Sequence, residues 1–146
     1  MTLRERALRL LAQSEQTRAG LARKLARHGS EEEIEALLDN LISSGLLCDA
    51  RYAESFVASR SGRYGAAKIR QALRAKGVDD VVIEQHLVPD READYAAARE
   101  LWLKKFGQPP ADAREYARQM RFLISRGFGG EVIRKILKEE AEYGQS

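Results

Sequence analysis

Ile69-Arg70-Gln71-Ala72-Leu73-Arg74-Ala75-Lys76-Gly77-Val78-Asp79-Asp80-Val81-Val82-Ile83 contains the end of one apolar-periodic run, a stop, and the start of the next. Ile69 and Leu73 stand one helical turn apart, and Val82, Ile83 and Leu87 share a face beyond the stop. The same leucine-to-glycine spacing occurs at Leu25 with Gly29 and at Leu123 with Gly127. Forty-eight residues separate Gly29 from Gly77, and 50 separate Gly77 from Gly127, so one supersecondary unit is predicted to occur three times. Glycine takes positive φ without a Cβ clash, which makes each of these three glycines an expected left-handed helix stop.

The flanking runs fill out each unit. Leu21, Ala22 and Leu25 precede Gly29, and Ile34, Leu37, Leu38 and Leu41 follow it. Around Gly127 the sets are Met120, Leu123 and Ile124, then Val132, Ile133, Ile136 and Leu137. Each pair has one more amphipathic run before it: Leu3 to Gln13, Asp49 to Ser61, and Arg91 to Phe106. Three helices per unit predict nine in all, in repeats spanning 1–48, 49–89 and 90–146. Ser30 with Glu33 reads as a capping box, Thr17 as a cap for the second helix, and Asp79-Asp80 as negative charge at a helix start. Pro89 separates the second and third units, and Gln108-Pro109-Pro110-Ala111 makes an elbow within the third. No segment alternates long enough to argue for a strand, so the expected class is all-α.

A chain of 146 residues, 44% hydrophobic and 32% charged, gives each unit only a small core, which favours an elongated array of mutually supporting repeats. No apolar run approaches the roughly 20 residues needed to span a bilayer, and the N-terminal residues lack a signal-peptide apolar region. With a single cysteine, Cys48, the chain reads as cytoplasmic. His28 and His86 fall near helix ends, where structural roles suffice, and neither a zinc-ligand spacing nor a Cys-His nucleophile pair can be read. Phosphate-cradling glycine motifs are absent, and Gly127-Phe128-Gly129-Gly130 falls at a repeat stop. No enzyme, cofactor or metal site is expected.

The net charge of +3 conceals segregation by helix. Arg18, Arg23, Lys24 and Arg27 occupy a stretch without acids, whereas Glu31, Glu32, Glu33, Glu35 and Asp39 occupy the next without bases. The second unit repeats this with Lys68, Arg70, Arg74 and Lys76, then Asp79, Asp80 and Glu84. The basic stripe from Arg60 to Lys76, with Tyr64 inside it, is the leading functional signal. Three-helix units also resemble helix-turn-helix domains, but in the first two units the last helix would bring acids toward DNA, which argues against ordinary groove reading. Solvated faces, or basic and acidic helices neutralising each other, would explain the same pattern without a partner.

Arg51-Tyr52-Ala53-Glu54-Ser55-Phe56-Val57-Ala58-Ser59-Arg60, with Tyr64-Gly65-Ala66-Ala67-Lys68-Ile69-Arg70-Gln71-Ala72-Leu73-Arg74-Ala75-Lys76-Gly77-Val78, resembles the central repeat of the RecX family of recombination regulators. Thr17 to Leu25 and Arg121 to Phe128 are similar to flanking parts of that family. The chain departs from the family pattern at Gly20, at Ser30 and near Cys48, and its first unit is one residue shorter after its glycine.

The resemblance implies a curved array of three-helix repeats that lies in the groove of the RecA filament on single-stranded DNA. It also implies inhibition of RecA's ATPase, strand exchange and co-protease outputs. The expected contacts are Arg60, Arg63, Lys68, Arg70 and Arg74 with Tyr64 as an aromatic anchor, supported by Arg23, Lys24 and Arg27 and by Arg118, Arg121 and Arg126. Lys76 is expected to drape its stem over the core, and Tyr52, Phe56 and Trp102 to be core residues. The expected protein is a monomer whose partners are the RecA filament and, through it, single-stranded DNA. The alternatives are a direct DNA-binding helix-turn-helix-like module with no obligate protein partner, and a plain helical scaffold.

Overall fold

A computed structural model describes residues 1–143. Among them are nine helices and no strand: α1 Leu3–Gln13, α2 Arg18–Leu25, α3 Glu31–Ser43, α4 Asp49–Arg60, α5 Ala66–Ala75, α6 Asp80–His86, α7 Arg91–Lys105, α8 Ala113–Ser125 and α9 Gly130–Tyr143. They form two compact units. The first comprises Met1–Phe56 and Ala72–His86, and the second Val57–Gln71 with the chain from Leu87 onward.

In the first unit, side chains satisfy the amide groups that helix starts leave unpaired. Thr2 accepts from the Glu5 N–H at 3.0 Å, and Thr17 from the Gly20 N–H at 2.9 Å. Ser30 and Glu33 close a reciprocal capping box at 3.1 and 3.2 Å, as the sequence predicts. The core joins Ala7, Leu21, Leu25, Ile34, Leu38, Leu41 and Leu47. Buried Thr17 also donates its hydroxyl to the Lys76 carbonyl at 2.8 Å, which ties the start of α2 to the end of α5.

The second unit packs Ala97, Ala98, Trp102, Leu123, Phe128, Ile133, Ile136 and Leu137 into its core. Trp102 is buried as expected, and its indole N–H donates to Gln119 Oε1 at 2.8 Å. Asp90 and Asp112 cap α7 and α8. Here the start of α5 is tied to the end of α8, because the Gly65 N–H donates to the Arg126 carbonyl at 2.7 Å and the Ala67 N–H to the Gly127 carbonyl at 3.3 Å.

Two of the three expected glycine stops have the left-handed geometry. Gly77 and Gly127 hold φ of +84° and +91°. Val78 donates to the Leu73 carbonyl at 3.1 Å and Gly77 to Arg74 at 2.9 Å; Phe128 and Gly127 repeat the pattern to Leu123 and Ile124 at 3.2 and 2.9 Å. Val78 and Phe128 are themselves buried, which supplies the apolar contact that accompanies such stops.

Gly29 corrects the sequence expectation, because its φ is not positive. α2 ends at Leu25, and the chain leaves through tighter bonds from Ala26 to the Arg23 carbonyl and from His28 to the Leu25 carbonyl. Ser30, immediately after the glycine, must serve as the N-cap of α3. No residue remains to make the bond that Val78 and Phe128 make in the other two stops. Gly45, outside the leucine-to-glycine repeat, ends α3 with φ of +79° and the same paired bonds, from Leu46 to Leu41 and from Gly45 to Ile42.

Tyr52 and Phe56 also differ from expectation. They stack on each other at 6.0 Å and are half-buried, outside the core cluster of their unit. Lys76 Nζ lies 5.9 and 6.0 Å from their ring centres, so its stem does drape over apolar surface, but over a peripheral pair.

Candidate functional site

The turn from α4 into α5 positions the densest group of expected contact residues. The Arg63 and Tyr64 amides both donate to the Arg60 carbonyl at 3.1 Å, and Gly62 at φ +89° lets the chain reverse. This leaves Arg63 exposed and Tyr64 half-buried in the second unit.

Two cations hold that ring. Lys68 Nζ lies 5.1 Å and the Arg126 guanidinium 5.8 Å from its centre, and Lys68 also donates to the Ser125 carbonyl at 3.2 Å. Arg126 sits 5.0 Å from Phe122 as well, and Phe122 packs edge-on against Phe106 at 5.4 Å. Lys105 lies over Phe122 and Arg118 over Phe106, at 5.4 and 5.3 Å. The second unit therefore carries a layer in which cations and rings alternate. Each contact contributes about 0.5 to 1 kcal/mol at exposed positions, enough to orient side chains without committing their whole charge. Phe106, Phe122 and Lys105 were not among the expected contacts. Phe122 stands four residues before Arg126, a spacing the sequence does display, whereas Phe106 with Arg118 and Lys105 with Phe122 meet across a helix pair, which local sequence does not show.

Arg70 is half-buried on α5, and Arg121 is exposed on α8. Arg118 also pairs with Glu115 at 3.7 Å. Among the described residues, Arg63 and Arg121 make no ion pair and no side-chain hydrogen bond.

Arg60, half-buried at the end of α4 in the second unit, donates to the Ser59 hydroxyl at 3.1 Å, and the remaining expected contacts lie in the first unit. Arg74 is paired with Asp80 at 2.7 Å, both exposed, so its charge is locally balanced. Lys24 donates to Gln16 at 3.0 Å, while Arg23 on α2 and Arg27 in the turn after it are exposed. Among the described residues no three His, Cys, Asp or Glu side chains are grouped to hold a metal ion. No described helix is long and apolar enough to cross a membrane.

Comparison with known proteins decides the family. Residues 49–87 match the model of the second three-helix domain of RecX, and residues 92–137 that of the third. A regulatory protein RecX of Leptothrix cholodnii is 51% identical over 139 residues, covering 94% of this chain and 88% of its own length. The chain belongs to the RecX family. A second RecX, from Chromobacterium violaceum, is 44% identical over 142 residues, covering 97% of this chain and 92% of that protein. The fold agrees with a crystal structure of regulatory protein RecX at a TM-score of 0.82 and 28% identity, over 92% of this chain and 70% of that one. RecX from Lactobacillus salivarius, at 24% identity, shares the fold with a TM-score of 0.80, over 95% of this chain and 94% of that one.

Proposed function

We propose that this RecX-family protein regulates the RecA recombinase by binding the RecA filament on single-stranded DNA, and that binding lowers RecA's ATPase, strand exchange and co-protease outputs. Family membership over nearly the whole chain is the observation that carries the reading. The alternating layer of cations and rings in the second unit supports it, since such surfaces suit both protein hot spots and stacked single-stranded bases. In this reading Arg63, Arg121, Lys68, Arg70 and Arg126 make the principal contacts with Tyr64 as the aromatic anchor, while Arg60, Arg74, Arg118, Arg23, Lys24 and Arg27 contribute less.

No catalytic step is needed. Several weak patches on the three repeats, 1–48, 49–89 and 90–146, engage successive filament subunits, and linkage raises their joint affinity above that of any one. Binding shifts the filament only by the difference in affinity for its alternative geometries, so inhibition requires preference for a less active or shorter filament. The protein acts in the cytoplasm as a monomer.

Co-sedimentation with RecA tests this reading, performed with and without single-stranded DNA and a nucleotide that holds the filament. Retention that requires the assembled filament supports it. Equal affinity for bare DNA with a steep salt dependence would instead make the protein a direct nucleic-acid binder.

A further inference from the structure

Where α1 runs into α2, the first unit holds an open cavity of about 370 Å³. Three cations line it, Arg23 and Lys24 on α2 and Lys76 just past the end of α5. One acid, Glu15, stands beside them, but the Arg51 guanidinium takes both of its oxygens, at 2.6 and 3.4 Å. Lys24 spends a bond on a neutral amide, Lys76 Nζ lies over the Tyr52 and Phe56 rings, and Arg23 is exposed, so among the described residues none of the three pairs with a carboxylate.

A buried amide organises this rim. Gln16 lines the cavity and is only 7% exposed, a burial that a polar side chain accepts only with its bonds made. Lys24 Nζ can only donate, and it donates to Gln16 Oε1 at 3.0 Å, which turns the amide nitrogen toward Ser14. Gln16 Nε2 then donates to Ser14 Oγ at 3.1 Å. That bond uses the hydroxyl as an acceptor and leaves its O–H to donate. Ammonium, amide and hydroxyl thus form a chain running in one direction, each donor polarising the next, and its last donor belongs to a residue that lines the cavity. Fixing the Lys24 head costs rotamer freedom that a merely solvated lysine would keep.

We infer that this cavity binds a terminal phosphate group, a phosphomonoester carried by a free nucleotide or by the end of a nucleic-acid strand. Such a group carries about −1.5 to −2 charge at pH 7 and three terminal oxygens, a match for three cations and a hydroxyl donor. A backbone phosphodiester brings a single charge and leaves part of the set unused. Arg23 supplies a planar fork, Lys24 and Lys76 supply point charges, and the Ser14 O–H gives the site a directional bond. Arg23 and Lys24 are minor contacts in the proposed function, but the phosphate site stands without RecA and its test uses none.

The test is amide-resolved NMR of the isotope-labelled full chain at constant ionic strength. The probes are thymidine 5′-monophosphate and a short oligothymidylate with a 5′-phosphate; the controls are thymidine and the same strand without its phosphate. The expected result is saturable shifts at Ser14, Gln16, Arg23, Lys24 and Lys76 with both phosphorylated probes, none with thymidine, and binding of the bare strand at least about tenfold weaker. Tighter binding of the phosphorylated strand than of the nucleotide assigns the site to strand ends, and equal binding assigns it to the free nucleotide. Arg23→Gln together with Lys24→Gln should weaken binding about tenfold or more, and Ser14→Ala about fivefold. Arg114→Gln with Lys138→Gln, the same charge change on exposed residues of the second unit, should leave it unaltered. Non-saturating shifts, equal loss in the Arg114/Lys138 variant, or equal binding of the strand without its phosphate would overturn the inference. Ser14→Ala leaves all three cations in place, so the result survives if the Arg23/Lys24 variant fails to fold.

Discussion

Gly77 passes so close to Ala19 that a Cβ at position 77 would stand 2.4 Å from the Ala19 Cβ. The glycine is therefore required twice over, by its positive φ and by the contact of its helix stop with α2. Gly77→Ala should destabilise by about 2 kcal/mol or more, combining left-handed strain with overpacking. Gly45 has a similar φ but nothing within 4 Å of its would-be Cβ, so Gly45→Ala should cost only about 1 kcal/mol. Urea unfolding of the two variants measures the difference, and equal losses would show that the Ala19 contact yields freely.

Cys48 performs a capping task with a weak acceptor. Its carbonyl receives the first bond of α4, from Tyr52 at 3.1 Å, and its Sγ accepts from the Arg51 N–H at 3.4 Å. An oxygen is the better acceptor at such a position. Cys48→Ser should raise stability by about 0.5 kcal/mol, and Cys48→Ala should not. Comparing the two melting temperatures decides whether the cap is used.

The helices were legible because their signals are local. The apolar spacing predicts Leu3–Gln13 to the residue, and the Ser30–Glu33 box lies within four residues. The stop at Gly29 was misread because the chance to close it depends on how many residues precede the next cap, one fewer than after Gly77. The arrangement of the basic residues was the least legible part. Tyr64 meets Arg126 across 62 positions of sequence, and Arg74 is neutralised by Asp80 although the pattern assigned those two residues to opposing stripes.

Tyr95 gives the second unit an alkaline sensitivity. Its hydroxyl donates to the Glu139 carboxylate, and that bond, followed by burial, pushes its pKa from 10.0 up to about 12. Above pH 10 the unfolded chain loses this proton first while the folded chain keeps it, so the contribution is full below pH 10 and is lost as pH rises toward 12. Tyr95→Phe should lower stability at neutral pH by about 1 kcal/mol. The parent and the variant should converge when urea unfolding is repeated through the alkaline range; a constant gap would show that the bond does not control the titration.

Arg63 and Arg121, exposed and without an ion-pair partner among the described residues, are proposed to carry the inhibition of RecA, whereas Arg91 and Lys104 on α7 are paired with Glu131 and Glu100. The most direct measurement of that role is the inhibitor titration of RecA's DNA-dependent ATPase with the Arg63→Glu/Arg121→Glu variant, alongside Arg91→Glu/Lys104→Glu as a control with the same charge change on α7. Both pairs are exposed, so both variants should fold. The account predicts that the first loses about tenfold or more in inhibitory potency while the control stays near the parent. Equal potency of the Arg63/Arg121 variant and the parent, with both folded, would contradict it.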